Sequence, residues 1–152
     1  ACRTLPAATE ADSPRAASFG RDTMHKSRLS GFIIDCETGD LAEAARFWSA
    51  ALGMPLGEVS GASNNYIQLH DAQRNLHVEV QAVTHESRVH LDIESDDIEA
   101  EVKRLEALGA KRIKQVHSWW VMQAPTGQRF CVVRPQDPGF ASNSNRWDQG
   151  KP

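Results

Sequence analysis

The sequence predicts an α+β domain built from two tandem β-α-β-β-β units, and two observations support this. Between Arg88 and Arg112, apolar and polar residues first alternate, as in a half-buried strand, and then recur with the period of a helix. A similar stretch begins roughly 57 residues earlier, near Phe32. Repetition at a fixed offset indicates a duplicated architecture.

The first unit opens with a strand from Phe32 to Thr38 and continues into a helix. Asp40 and Glu43 form a capping-box pair at the start of this helix, and Gly53 ends it. Loop and turn residues then separate three short strands, which we expect at 54–59, 66–69 and 76–83.

The second unit repeats this order. A strand alternates from Val89 to Glu94, Asp96 or Asp97 caps the following helix, and Gly109 is its C′ residue. The remaining strands are predicted at 113–118, 119–124 and 129–134, with a tight turn at 124–127.

Composition excludes several classes of protein. The chain has 152 residues, a formal net charge of -3, 40% hydrophobic residues and 24% charged residues, as in an ordinary globular domain. No cluster of basic residues suggests a nucleic acid or a membrane as partner, and no apolar run has membrane-spanning length. The three cysteines form no C-x-x-C pair, so we expect reduced thiols and a cytoplasmic location.

The two ends differ from the centre. Residues 1–28 lack apolar periodicity and a signal-peptide core, which predicts a disordered N-terminal extension. The domain is expected over 29–135, with halves at 29–84 and 87–135. The tail from 136 to 152 is rich in Asn, Asp, Gly and Pro, which predicts a loose segment that Phe140 and Trp147 could pin to the domain.

Three motifs combine the strand and helix residues of the two units. They are Asp40-Leu41 with Phe47-Trp48 and Leu52-Gly53-Met54, Val89–Ile93 with Leu108-Gly109-Ala110, and Pro125-Thr126-Gly127 with Phe130–Pro135. These motifs resemble the vicinal-oxygen-chelate superfamily, which includes glyoxalase I, bleomycin-resistance proteins and extradiol dioxygenases. The similarity covers roughly 29–135 and is greatest to single-domain glyoxalase-like proteins. It implies the glyoxalase/bleomycin-resistance fold: curved mixed sheets, helices outside, a ligand cavity inside, and assembly as a homodimer.

In this fold one face of each strand covers a helix and the other face lines the cavity. The faces predicted to cover the helices carry Phe32, Ile34, Cys36, Leu76, Val78, Val89, Leu91 and Ile93. The faces predicted to line the cavity carry Ile33, Asp35, Glu37, His77, Glu79, His90, Asp92 and Cys131.

Metal-dependent members of the superfamily carry one His, Glu or Gln ligand on each of four strands. His90 has such a position in the second half, and His77 or Glu79 has one in the first half. Ile33 occupies a third ligand position and cannot coordinate a metal, while Cys131 stands where Glu is usual. The resemblance therefore implies either no cofactor or a divalent metal (Ni, Zn, Mn or Fe) at an incomplete site, with His90 and Glu79 as ligands.

His90 and Glu79 are also the predicted catalytic acid–base residues, because His90 has the carboxylate of Asp92 two positions away. Asp35 is the repeat equivalent of Asp92, and the internal symmetry could bring the two carboxylates together, or both could face solvent. His77 and Glu79 form either an acid–base pair or a salt bridge. The predicted ligand-binding residues are Asp35, Tyr66, Gln68, His77, Asp92, Trp119, Trp120 and Cys131.

Two of these predictions have alternatives. Cys131 lies between Phe130 and Val132, a pattern more typical of a buried small residue than of a nucleophile. Trp119 and Trp120 point to opposite sides of one strand, so that one indole could wall the cavity while the other packs on the core or at a dimer interface.

The resemblance implies a glyoxalase-like protein that binds a small molecule. Its reaction, if it is an enzyme, would be lyase or isomerase chemistry beside a carbonyl, as in lactoylglutathione lyase. The alternative is a non-catalytic protein that sequesters a drug or metabolite, as bleomycin-resistance proteins do, and Ile33 and the tryptophan pair favour it. An extradiol dioxygenase needs two His and one carboxylate around iron, and Ile33 argues against it. The substrate is not readable from the sequence.

Overall fold

The computed structural model describes residues 24–71 and 76–148. The first half contains β1 (His25–Glu37), α1 (Leu41–Leu52), β2 (Leu56–Ser60), β3 (Tyr66–Leu69) and β4 (His77–Val83). The second half contains β5 (Arg88–Ser95), α2 (Ile98–Ala107), β6 (Lys111–Val116), β7 (Trp119–Gln123) and β8 (Arg129–Val133). A short helix, α3 (Phe140–Asn143), and a last strand, β9 (Asn145–Trp147), follow.

In the described part of the chain, the strands form one mixed sheet in the order β2-β3-β4-β1-β5-β8-β7-β6, with β9 paired to β1. β1 runs parallel to β4, and β5 runs parallel to β8 in the same way. The halves join edge to edge, because β1 and β5 pair antiparallel. The predicted α+β fold with two tandem β-α-β-β-β units is confirmed.

Local signals set the helix ends as the sequence predicts. The Asp40 side chain accepts a hydrogen bond from the Glu43 amide at 2.8 Å, and Gly53 ends α1 with φ of 67°. Asp97, not Asp96, caps α2 and accepts from the Ala100 amide at 3.0 Å. Asp96 instead accepts from the backbone amide of Lys26 in β1.

Each helix covers its own half of the sheet and forms a separate core. Ile34, Val78 and Val80 pack with α1, whereas Val102 and Leu105 of α2 pack on β7 and β8. The prediction that Val89 and Leu91 cover a helix is wrong, because these side chains are 57% and 49% exposed. The apolar residues of α2 contact Met122, Phe130 and Val132, and on β5 only Ile93 packs against this cluster, so β5 stays open on this side at Val89 and Leu91.

The flanks of the domain are ordered beyond the predicted limits. β9 pairs antiparallel with the start of β1, His25 opposite Trp147. The prediction of disorder through residue 28 is therefore wrong for 25–28, and the prediction of a loose tail is wrong for 140–147. Phe140 is 7% exposed, and the Trp147 indole donates to Ser27 Oγ at 2.7 Å. These contacts agree with the alternative stated from the sequence, that Phe140 and Trp147 pin the tail, whereas the pairing of β9 with β1 had no local sequence signal.

Residues 1–23 and 149–152, and most of the turn predicted at 71–75, lie outside the described residues. Within the described part, no helix is long and apolar enough to cross a bilayer.

β1 and β4 approach each other closely at Gly31, which pairs with His77. A Cβ atom at Gly31 would overlap the backbone carbonyl of His77. Glycine is therefore required here by the close approach of two backbones.

Candidate functional site

A cavity of about 230 Å³ opens on the sheet face opposite the helices. We call it the central cavity. Because neighbouring strand residues point to opposite faces, side chains from both halves converge there. Its lining consists of Ile33, Ser60, Gly61, Tyr66, Glu79, His90, Asp92, Trp119, Cys131, Val133 and Gln136.

Strand register determines which of these side chains are neighbours. Ile33 on β1 stands between Glu79 on β4 and His90 on β5. Asp92 on β5 pairs with Cys131 on β8. Glu79 and His90 are thus separated by a buried apolar side chain, whereas Asp92 and Cys131 are direct neighbours.

His90 lies between two carboxylates. Its Nδ1 is 2.9 Å from Asp35 Oδ2, and its Nε2 is 3.6 Å from Asp92 Oδ1. Since a carboxylate accepts hydrogen bonds, Nδ1 of His90 donates to Asp35, and in the neutral imidazole the lone pair is then on Nε2. His90 is held with Nε2 toward Asp92.

Asp35 lies behind His90 and is 2% exposed. Arg88 Nε and His85 Nε2 lie 3.4 and 3.9 Å from the same oxygen, Oδ2, that contacts His90. The sequence predicted Asp35 as a ligand contact; the structure places it as a partner of His90. Asp35 and Asp92, which occupy equivalent positions in the two repeats, therefore approach the imidazole of His90 at its two nitrogens.

Burial changes the proton affinity of three groups in the cavity. The pKa of Asp92 rises to about 6 because of burial, with His90 and His77 opposing the rise. The pKa of the Cys131 thiol rises to about 12 because of burial and the nearby carboxylate of Asp92. Burial, followed by Glu79, raises the pKa of Tyr66 to about 12. At neutral pH the thiol and the phenol are therefore protonated.

A second cavity of about 250 Å³ adjoins the first, and Gln136 lines both. Predicted site residues Gln68 and His77 lie here, with Ser30, Leu76, Asp137 and Pro138. His77 Nε2 is 3.3 Å from Glu79 Oε1, and this hydrogen bond is the main reason that the pKa of His77 is raised. His77 and Glu79 therefore form a hydrogen-bonded pair across the boundary between the cavities.

The two neighbouring tryptophans separate as the alternation predicts. Trp119 lines the central cavity. Trp120 lies on the helix side, where its indole donates to Glu99 Oε1 at 2.7 Å and the Arg112 guanidinium lies 4.8 Å from its ring. The prediction of Trp120 as a ligand contact is therefore corrected: it packs against α2.

One group of potential metal ligands occurs in the described part of the chain. Donor atoms of His90, Asp92 and Cys131 all lie within 4.8 Å of one another. Glu79, predicted as a ligand together with His90, is not in this group. Ile33 is 2% exposed and fills the position between Glu79 and His90.

Four residues that line the central cavity were not predicted from the sequence: Ser60, Gly61, Val133 and Gln136. Gln136 is the most distant of them from the predicted motifs. It follows the last strand of the second half, and its backbone amide donates to Glu94 Oε2 at 2.8 Å. No periodicity in the tail signals this contact, because it joins two segments far apart in the sequence.

The glyoxalase-like domain family matches residues 31–133 of the chain. A methylmalonyl-CoA epimerase from Mycobacterium tuberculosis aligns with a TM-score of 0.53 and 16% identity over 75% of this chain and 93% of that one. A Streptomyces coelicolor methylmalonyl-CoA epimerase variant in complex with 2-nitronate-propionyl-CoA aligns with a TM-score of 0.47 and 12% identity, covering 70% and 94%.

A glyoxalase I mutant from Zea mays aligns with a TM-score of 0.27 and 18% identity, over 67% of this chain and 44% of that one. No curated protein matches the sequence. At these identities, the alignment with the Mycobacterium tuberculosis epimerase shows a shared fold and nothing more specific.

Proposed function

The chain belongs to the glyoxalase-like domain family of the vicinal-oxygen-chelate superfamily, and from this premise we propose that its central cavity binds a small carbonyl compound and moves a proton at the carbon beside the carbonyl. This is the chemistry of isomerases and of lyases such as lactoylglutathione lyase. The observation that carries the proposal is the placement of His90, with Nδ1 held by Asp35 and Nε2 left basic in the cavity.

The residues supply a base and a hydrogen-bond donor for such a step. Nε2 of His90 accepts the proton from carbon, and the carboxylates of Asp35 and Asp92 stabilise the imidazolium that forms. As the C–H bond breaks, its electrons move to the carbonyl oxygen. The Tyr66 hydroxyl, protonated at neutral pH, donates a hydrogen bond to that oxygen. Return of this proton from the His90 imidazolium to a carbon of the substrate, with the electrons moving back from the oxygen, completes an isomerisation.

The metal-dependent members of the superfamily imply a divalent metal, and the residues of this site fit one. The ligands here differ from the His, Glu or Gln ligands on four strands of those members. His90, Asp92 and Cys131 offer nitrogen, oxygen and sulfur donors, and Asp92 Oδ1 is buried without a hydrogen-bond partner in the described structure. When bound, the ion would polarise a substrate oxygen. His90 Nε2 cannot bind an ion and accept a proton together, so Glu79 would be the base in the loaded protein.

The test is deuterium incorporation from D2O, followed by NMR for a panel of α-hydroxyketones, acyl thioesters and the hemithioacetal of methylglyoxal and glutathione. We expect exchange beside the carbonyl for at least one compound, reduced about 100-fold or more by His90→Ala in metal-free protein. Glu79→Gln should have the larger effect in metal-loaded protein. His70→Ala, at an exposed histidine that follows β3, is the matched control.

The second candidate is a non-catalytic protein that sequesters an aromatic drug or metabolite. The buried Ile33 and the indole of Trp119 in the cavity lining favour it. These side chains give apolar contact area for a ligand but supply no acid, base or metal ligand. A ligand that binds tightly and quenches Trp119 fluorescence, with no deuterium exchange in any loaded or metal-free form, would support this function over proton transfer.

Homodimer formation and a cytoplasmic location complete the proposal. Unpaired Cys36 and Cys131 agree with a reducing compartment. The exposed side chains of Val89, Leu91 and Leu108 on the helix side are apolar surface that a second copy could bury. Sedimentation velocity should show a dimer, and a single monomer species at micromolar concentration would contradict it.

A further inference from the structure

The central cavity and the second cavity share one wall residue, Gln136. Together they form a continuous series of polar side chains from Asp92 and Tyr66 in the central cavity to Gln68 and Asp137 in the second. A ligand that occupies both cavities must pass the side chain of Gln136, whose amide offers both a donor and an acceptor.

Gln136 is held by a buried ion pair. Its backbone amide donates to Glu94 Oε2 at 2.8 Å, and Glu94 is fully buried. Arg28 Nε lies 3.0 Å from Glu94 Oε1, and the same guanidinium lies 3.3 Å from Asp137 Oδ2. The wall between the cavities is therefore attached directly to β5, the strand that carries His90.

This wall comes from segments outside the region that matches the family, 31–133. We call residues 24–30 and 134–148 the flank clasp. β9 and the start of β1 pair within it, and the Trp147 ring lies 3.9 Å from the Arg104 guanidinium. Arg104 in turn binds the buried Glu101 of α2, as does His25 of β1. Gln136, Asp137, Pro138 and Ser30 reach the cavities from this clasp.

Carboxylates outnumber Lys and Arg side chains around the two cavities. The described lining includes the carboxylates of Glu79, Asp92 and Asp137 but no Lys or Arg. Arg28 lies at Asp137 and His77 at Glu79, while the buried carboxylates of Asp35 and Glu94 add negative charge behind the lining. Such a lining attracts cations and repels phosphates and carboxylates.

We propose that the ligand is an elongated neutral or cationic molecule that spans both cavities. Its carbonyl end occupies the central cavity, and a tail that bears hydroxyl, amide or ammonium groups passes Gln136 into the second cavity. This inference rests on the proposed function for the carbonyl end and adds the charge and shape of the substrate.

The first test measures charge selection at Cys131, which lines the central cavity. In a Cys2→Ser, Cys36→Ser background, the thiol is modified by 2-aminoethyl methanethiosulfonate, a cation, or by 2-sulfonatoethyl methanethiosulfonate, an anion. Each forms a mixed disulfide and releases methanesulfinate. Rates are divided by those of the same thiol in urea-unfolded protein, which removes the intrinsic difference between the reagents.

We expect the normalised rate to be at least about tenfold higher for the cation, with a difference that shrinks as salt is added. Glu79→Gln should reduce the ratio. Equal rates, or a faster anion, would overturn the proposed charge of the ligand. Because the labelling needs no turnover, this failure would leave the proton-transfer proposal standing, and absence of deuterium exchange would leave the charge selection standing.

The second test measures whether Gln136 limits access to Cys131. The reagent is long and neutral, benzyl methanethiosulfonate. Gln136→Ala should raise the rate of Cys131 modification at least about threefold, and Trp147→Ala, which releases β9, should do the same. Gln115→Ala, at an exposed glutamine of β6, is the control. Urea unfolding of each variant confirms that the protein is folded. An unchanged rate in a folded Gln136→Ala variant would show that Gln136 does not separate the cavities.

Discussion

Asp35 Oδ2 accepts a hydrogen bond from His90 Nδ1 at 2.9 Å, and the carboxylate lies almost completely inside the protein. β1 supplies the carboxylate and β5 the imidazole, so the contact spans the joint between the two halves. A histidine fixed in this way keeps one tautomer, with Nε2 available to substrate or metal.

Replacement of this carboxylate should therefore change the tautomer of His90. In metal-free protein at high pH, the ¹⁵N shifts of the imidazole should show the Nδ1-protonated form in the wild type and a mixture of both forms in Asp35→Asn. Glu37→Gln, at an exposed position of the same strand, should leave the shifts unchanged. If Asp35→Asn retains the wild-type tautomer, another contact orients His90.

Asp92 should make stability depend on pH. Its pKa rises from 3.8 to about 6 on folding, because burial disfavours the charged form. The folded state thus binds this proton more tightly than the unfolded state, and stability falls as pH rises from about 4 to about 6. The loss amounts to at most about 3 kcal/mol.

Asp92→Asn removes this loss, so the EDTA-treated variant should be more stable than wild type at pH 7.5 and lose that advantage at pH 3.5. Urea unfolding at both values measures the difference, with the exposed Glu58→Gln as control. A variant less stable than wild type at pH 7.5 would show that the Asp92 carboxylate gains more from its neighbours than burial costs.

Metal binding should depend on His90, Asp92 and Cys131. Untagged protein exposed to Ni, Zn, Mn or Fe should retain close to one ion per chain by elemental analysis, and His90→Ala should lose it. Cys131→Ser should weaken Zn²⁺ binding at least about tenfold, measured by competition with a chelator, while Glu79→Gln retains the ion. Loss of the ion in Glu79→Gln with its retention in Cys131→Ser would instead favour the ligand pair predicted from the sequence, His90 and Glu79. Retention of no metal by the wild type would remove the metal from the proposed function.

A methyl group at Gly31 should disrupt the sheet. Gly31→Ala would press a Cβ onto the carbonyl of His77 and separate β1 from β4 beside the second cavity. The expected cost is at least about 3 kcal/mol of unfolding free energy, or failure to fold. Gly39→Ala has no atom within 4 Å of its added Cβ and should lie within about 0.5 kcal/mol of wild type. Similar urea midpoints for the two variants would contradict the close approach.

Sequence reasoning succeeded where the controlling interactions are local. Caps such as Asp40 and the helical period fix the bounds of α1, and strand alternation places Tyr66, Glu79, His90 and Cys131 on one face of the sheet. It could not tell that Asp35 contacts His90, because this depends on the register between β1 and β5. The roles of these residues in chemistry stay predictions.

Where the position predicted from the sequence was wrong or missing, long-range packing determines where the residue lies. Leu91 has the periodicity of a buried residue, and its exposure follows from where α2 lies on the sheet. Gln136 enters the site only because Glu94, on a distant strand, accepts its amide hydrogen. Neither relationship leaves a mark in the local sequence.

The position of β1 has a consequence for synthesis of the protein on the ribosome. This strand is synthesised before its hydrogen-bonding partners β4, β5 and β9, the last of which ends at Trp147. The edge of β1 that pairs with β5 stays open until the second half is translated, and His25–Ser27 stay unpaired until β9 follows. A nascent first half therefore exposes an unpaired apolar edge, the kind of surface that other chains and chaperones bind. Slow translation between the halves should favour such binding over correct folding.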